Sequence, residues 1–158
     1  MAPFIRGLHA RGFDATAIDL PRRKAEEALP ALHAAVPDEA DVVVGGQSFG
    51  GRVASLAAAE PDAACAALVL FCFPLHPPGA PERAAARIAP WPRIRCPVLL
   101  ISGESDPFAR IGLLRDAVRR LPDAELVTYP KLGHTLKPVL DDALDRVSAF
   151  LQGVPGSG

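Results

Sequence analysis

The chain has 158 residues and a formal net charge of −1, which is long enough for one domain with a real core. Apolar residues make up 49% and charged residues 22%, so a globular domain is expected rather than a disordered one. The near-neutral balance removes the electrostatic case for nucleic acid or an anionic membrane as partner.

No apolar run approaches the ~20 residues of a membrane span. The start, Met1 to Arg6, lacks the basic beginning and apolar stretch of a signal peptide. Cys65, Cys72 and Cys96 are odd in number and show no metal-ligand spacing. Each reads as a small buried apolar residue, and a reduced, cytoplasmic protein is expected.

In chain order, a helix is predicted over Pro3 to Arg11 and a strand over Ala15 to Leu20. A helix interrupted at Pro30 follows over Arg22 to Val36, then a strand over Asp41 to Gly45 and a helix over Phe49 to Glu60. The third apolar run is Ala66 to Phe73. The stretch Pro74 to Pro92 breaks the alternation: it is proline-rich and holds the single Trp. It reads as an excursion over the mouth of a site, with a short helix near Glu82 to Ile88. Then come a strand over Pro97 to Ser102, a helix over Phe108 to Leu121, a strand over Glu125 to Tyr129 and a helix over Lys137 to Leu151. The last helix carries Leu140, Leu144, Val147 and Leu151 on one face. Most of the strand runs are continuous in Val, Leu and Ile, as in a parallel sheet covered on both faces. Alternating strands and helices predict an α/β fold with a mostly parallel, doubly wound sheet. One domain is expected over 1–152, with 153–158 as a flexible tail.

Gly46-Gln47-Ser48-Phe49-Gly50 lies between a strand and a helix. That is the context in which G-x-S-x-G forms a nucleophile elbow, a sharp turn that exposes a serine. Glycines on either side are expected to let the backbone bend and to leave room beside the hydroxyl. A serine hydroxyl needs a base to take its proton, and the base needs an acid to hold its tautomer. Asp106, directly after a strand, and His134, after the last strand, follow in the order Ser, Asp, His. Each has a plainer alternative. Asp106 followed by Pro107 could cap the next helix, Glu104 is a competing acid that reads as solvent-facing, and His134 alone could be a loop histidine. His9 and His33 read as solvated, and His76 as either a substrate contact or a structural residue. No P-loop is present, since the glycines around Ser48 lack the Lys-Ser/Thr ending.

At these residues the chain resembles the α/β-hydrolase superfamily. More narrowly it is similar to its dienelactone-hydrolase-like group, which includes testis-expressed protein thirty and a subunit of a chromatin acetyltransferase complex. The matching segments are 45–52, Phe73-Pro74-Leu75-His76-Pro77-Pro78-Gly79, 103–108 and Gly133-His134. The resemblance implies Ser48 as nucleophile, Asp106 as acid and His134 as base, and no particular substrate. Dienelactone hydrolases proper use a cysteine nucleophile, so Ser48 argues against that reaction. Relatives also begin with a strand ending in an oxyanion-hole loop, which normally lies beside the nucleophile strand. This sequence starts after that point. A minimal fold without its usual N-terminal strand is therefore expected, with a gap in the sheet that the two flanking strands could close by pairing directly or a second chain could fill, and a natural start upstream of Met1.

The expected function is a serine hydrolase acting on a small carboxylic ester or thioester through an acyl-enzyme on Ser48. The Phe49 amide is the oxyanion donor, and Gln47, His76 and Phe108 are candidate substrate contacts. Phe49, Phe73, Leu75, Trp91 and Phe108 could line an acyl pocket, although core packing is the better reading for most. No metal or organic cofactor is implied, and a homo-oligomer is an open possibility. The alternatives are a non-catalytic interaction module that keeps the fold, and an acyltransferase sharing the same acyl-enzyme.

Overall fold

The computed structural model describes residues 1–36 and 41–155. Residues 156–158 of the predicted tail lie outside the described residues. Four strands form one sheet in the order β1-β2-β3-β4, all parallel: β1 Val43–Gln47, β2 Ala67–Phe71, β3 Val98–Gly103 and β4 Ala124–Tyr129. The helices are α1 Ala2–His9, α2 Ala25–Ala35, α3 Phe49–Ala58, α4 Ala84–Ile88, α5 Ile111–Val118 and α6 Leu140–Gln152. Short 3-10 turns precede α4 and α6, and a third spans Trp91–Arg93.

The interior strands β2 and β3 are buried along their whole length. That is why their sequences are unbroken apolar runs rather than alternating ones. The pleat still sorts their side chains to two faces. Leu68, Leu70, Val98 and Leu100 join a core with Phe73, Leu75, Trp91, Ile94 and Leu114. Ala67, Val69, Phe71, Leu99 and Ile101 join the opposite core with Phe4, Leu144, Val147 and Leu151. Thus α3, α4 and α5 cover one face, while α1 and α6 cover the other. Packing is close where α1 meets α6: a Cβ added at Gly7 would fall on the Leu144 side chain.

The predicted strand Ala15 to Leu20 does not form. A strand needs a neighbour to take its backbone hydrogen bonds, and β1 pairs with β2 alone among the described residues. The segment instead lays Ile18 and Leu20 against a third apolar cluster of Ala25, Ala28 and Leu32 of α2 and Val53 of α3. Its apolar residues are buried by helices rather than by a strand. β1 is consequently an edge strand, with Gly45 exposed. Pro30 lies inside α2 without ending it. At the other end of the chain, Val154 is buried in the second core and its amide bonds the Leu151 carbonyl, so the chain stays attached past α6. Among the described residues no helix is long and apolar enough to cross a membrane.

Candidate active site

Parallel strands all end at the same side of the sheet, so the loops after them meet. Ser48 follows β1, Asp106 follows β3 and His134 follows β4. Ser48 stands at φ 51°, ψ −114°, a left-handed conformation that costs about 1–3 kcal/mol for a residue with a Cβ. The surroundings hold it there. Its N–H donates to the Phe71 carbonyl at the end of β2 (2.9 Å), and its carbonyl accepts from Arg52 N–H in α3 (3.1 Å).

The glycines of the turn have unequal tasks. A Cβ on Gly46 would lie 2.5 Å from the Gly50 carbonyl carbon and 2.7 Å from the Gly51 nitrogen. One on Gly51 would lie 2.9 Å from the Gly46 carbonyl oxygen, whereas one on Gly50 would meet nothing within 4 Å. The close approach of β1 and α3 therefore requires glycine at 46 and 51. The expectation that Gly50 leaves room beside the hydroxyl is corrected on this point: the space at Gly50 is already open.

The three predicted side chains form one hydrogen-bonded chain. Ser48 Oγ lies 2.8 Å from His134 Nε2, and His134 Nδ1 lies 2.7 Å from Asp106 Oδ2. With Nδ1–H donating to the carboxylate, Nε2 is free to accept the serine proton. The Asp106 side chain is fully buried and that of His134 is 23% exposed. Asp106 Oδ1 also accepts the Phe108 N–H at 2.8 Å, so the carboxylate orients the histidine and closes its own turn together. The Phe108 ring lies 4.4 Å from the His134 ring, centroid to centroid. The two loops are tied by Glu104 N–H to the Tyr129 carbonyl and Ser105 N–H to the Leu132 carbonyl, both 2.9 Å. Gly103 lets them touch, because a Cβ there would fall on the Leu132 carbonyl.

Other predicted residues take varied places. The Phe49 N–H opens α3, where the first amides have no intrahelical partner. Gln47 ends β1 and is half-buried, as are Phe49 and Phe108. His76 is buried with both ring nitrogens in use: Nδ1–H donates to the Pro77 carbonyl (2.8 Å) and Nε2 accepts from Arg110 N–H (3.0 Å). Its backbone N–H donates to the Phe108 carbonyl. His76 thus clasps the proline-rich excursion to the Asp106 loop, and neither ring nitrogen is left for a substrate. Arg87 of α4 holds the same excursion through the Pro74 carbonyl. Phe73, Leu75 and Trp91 are core residues. Glu104 does not face solvent alone, since it accepts from Thr128 Oγ1 (2.8 Å) and pairs with Arg115 (3.1 Å). Together these partners turn it into a brace beside the Asp106 turn rather than a rival to Asp106.

Cys72 is buried, as expected of it, but its place beside Asp106 and His134 was not foreseen. It follows β2 in a left-handed turn of its own (φ 47°), and its sulfur lies within 4.8 Å of the ligand-type atoms of Asp106 and His134. Burial, and then the Asp106 charge, push its thiol up to about 12. It therefore stays neutral behind the carboxylate. Cys72, Asp106 and His134 bring three donor atoms together, but Asp106 and His134 are hydrogen-bonded to each other. The sequence carried no signal for this place, since Cys72 lay inside the predicted run Ala66 to Phe73 and only the structure ends β2 at Phe71.

A family model described as an alpha/beta hydrolase domain matches residues 20–152. The chain belongs to the α/β-hydrolase family. No curated protein sequence matches it. Among solved structures, a monoacylglycerol lipase of Paleococcus ferrophilus superposes with a TM-score of 0.79 at 14% identity, covering 94% of this chain and 86% of its own. An esterase of Pyrococcus furiosus gives 0.76 at 18% identity, with 96% and 74% covered. A predicted CIB-like hydrolase of Thermoplasma acidophilum gives 0.64 at 16%, covering 82% of this α/β-hydrolase chain. The chain spans 59% of that protein, less than two thirds of its length. At these identities the likeness speaks to the fold alone.

Proposed function

We propose that this chain is a serine hydrolase of the dienelactone-hydrolase-like group, acting on a small carboxylic ester or thioester. The observation that carries this reading is the unbroken Ser48–His134–Asp106 hydrogen-bond chain at the strand ends. Ser48 Oγ attacks the acyl carbonyl while His134 Nε2 takes its proton. Asp106 holds the Nδ1–H tautomer and stabilises the imidazolium. The Phe49 N–H donates to the developing oxyanion, where one such donor contributes about 10²–10³ in rate. His134 then protonates the leaving alcohol or thiol, leaving an acyl ester on Ser48. Water, activated by the same histidine, releases the acid; an acceptor other than water would make the enzyme an acyltransferase. Half-buried Phe108, whose ring lies against that of His134, borders the reacting atoms and suits a short acyl chain, whereas the Phe49 side chain packs into the third apolar cluster. The neighbours named as a lipase and an esterase support the ester class.

One observation favours a second reading, a non-catalytic interaction module. The outer edge of β1, beside the serine turn, presents backbone groups that a partner strand, including one from a second copy, could extend. Fluorophosphonate labelling read by intact mass, with p-nitrophenyl acetate turnover alongside, separates the two. Labelling and turnover are expected in the wild type and are lost in Ser48→Ala, with kcat down by about 10³–10⁶. A folded chain that neither labels nor turns over ester would leave the module.

A further inference from the structure

Cys65 and Cys96 lie far apart in sequence, but each stands two residues before a strand, Cys65 before β2 and Cys96 before β3. Those strands are adjacent and parallel with Leu68 opposite Val98, about 4.7–4.9 Å apart, so the two cysteines enter neighbouring strands one residue out of register, within reach of each other. Their sulfurs are 2.7 Å apart, inside ordinary nonbonded contact and close to the geometry that a disulfide needs. Both residues are half-buried rather than sealed in the core. They line a cavity of about 160 Å³ together with Glu60, Arg93 and Arg95. Cys65 also borders a second one of about 320 Å³. Of the charges there, Glu60 is paired with His33 at 2.8 Å, and Arg93 spends its Nε–H on the Ala59 carbonyl. Both arginines are exposed and present guanidinium N–H groups, which suit carboxylates.

We propose that Cys65 and Cys96 are a thiol-exchange site that closes to a reversible disulfide on reaction with a small, carboxylate-bearing disulfide of the glutathione type. Cys65, which borders both cavities where Cys96 borders one, is the attacking group. Their mutual contact lowers the thiol pKa of Cys65 and, together with burial, raises that of Cys96. An accessible, low-pKa cysteine beside a resolving partner is the arrangement of redox-responsive sites. Cys65 thiolate attacks one sulfur of the oxidant, forming a mixed disulfide and releasing one small thiol. Cys96 gives up its proton and attacks Cys65 Sγ, and the second small thiol leaves with that proton. Two protein thiols are oxidised, one small disulfide is reduced, and two electrons and two protons have moved. The site sits at the amino ends of the strands, opposite Ser48, and stands independently of the hydrolase reading.

The test uses the full chain, incubated with glutathione disulfide at neutral pH and read by intact mass and peptide mapping. The wild type is expected to lose the mass of two hydrogens, to yield a Cys65–Cys96 linked peptide and to return to the thiol form with dithiothreitol. Cys96→Ser is expected to trap one glutathione on Cys65. Iodoacetamide on the untreated wild type is expected to reach Cys65 about ten-fold or more faster than buried Cys72. A wild type that stays reduced, that keeps glutathione attached without closing, or that links through Cys72 overturns the proposal. So does alkylation of Cys65 no faster than of Cys72, a readout that needs no variant to fold.

Discussion

At the scale of single residues, Asp106 carries two bonds at once, one oxygen to His134 and the other to the Phe108 amide. Replacing it with Asn keeps the shape and an acceptor for Phe108 N–H but removes the charge that holds the Nδ1–H tautomer. Asp106→Asn is therefore expected to leave the thermal midpoint close to wild type while kcat on p-nitrophenyl acetate falls about 10⁴-fold. A midpoint that collapses would show that Asp106 acts chiefly as a turn cap. The turn glycines give a second test. Gly46→Ala forces a Cβ into the Gly50–Gly51 backbone and is expected to cost about 1–3 kcal/mol, as overpacking does. Gly50→Ala places a Cβ in open space on a helix and is expected to be neutral or to gain up to about 1 kcal/mol. Urea melts of the pair check the contrast, and equal losses would refute it.

Among elements, α6 shows which force fixes a helix to the sheet. Arg11 bonds Asp141 (2.6 Å) and Asp145 (2.7 Å) across the α1–α6 seam, but these carboxylates are 94% and 67% exposed. Exposed pairs are screened by salt and contribute little. Leu144 on the same helix is 1% exposed and packs with Phe4, Val147 and Leu151 in the second core. Truncating such a side chain to Ala costs about 2–5 kcal/mol. Chemical denaturation is expected to show Leu144→Ala far more damaging than Arg11→Ala, and added salt should erase most of the Arg11 effect. Were Arg11→Ala the worse of the two, the seam would be electrostatic after all.

For the whole molecule, the open edge of the sheet is the main consequence of its topology. In a parallel ladder alternate residues of a strand donate to the same neighbour. Ser48 N–H donates to β2 at Phe71, so Val44 and Gly46 donate inward as well. Val43 and Gly45 must then aim their N–H groups outward, away from β2. Amide exchange followed by NMR is expected to find Val44 and Gly46 protected and Val43 and Gly45 exchanging orders of magnitude faster in the monomer. Protection of all four would reveal a strand-like partner on β1, either from a second copy or from the Ala15 to Leu20 segment.

Much of this was legible in the sequence, for identifiable reasons. Unbroken apolar runs marked β2 and β3 because both of their faces are covered. The order of Ser48, Asp106 and His134, each just after a predicted strand, was enough to bring them to one end of a parallel sheet, because all such strands end on the same side. Ala15 to Leu20 misled because an apolar run records that residues are buried, not what buries them. Its cover proved to be helices, and a strand without a neighbour cannot satisfy its backbone. His76 showed its role only when the fold brought Pro77 and Arg110 to its two ring nitrogens. Cys65 and Cys96 likewise became a pair only when β2 and β3 took their places. Local pattern determined the elements and the reacting residues, since burial and turn chemistry are written along the chain. Contacts between distant segments were decided by the tertiary structure, because strand order and register bring together residues that no local pattern relates.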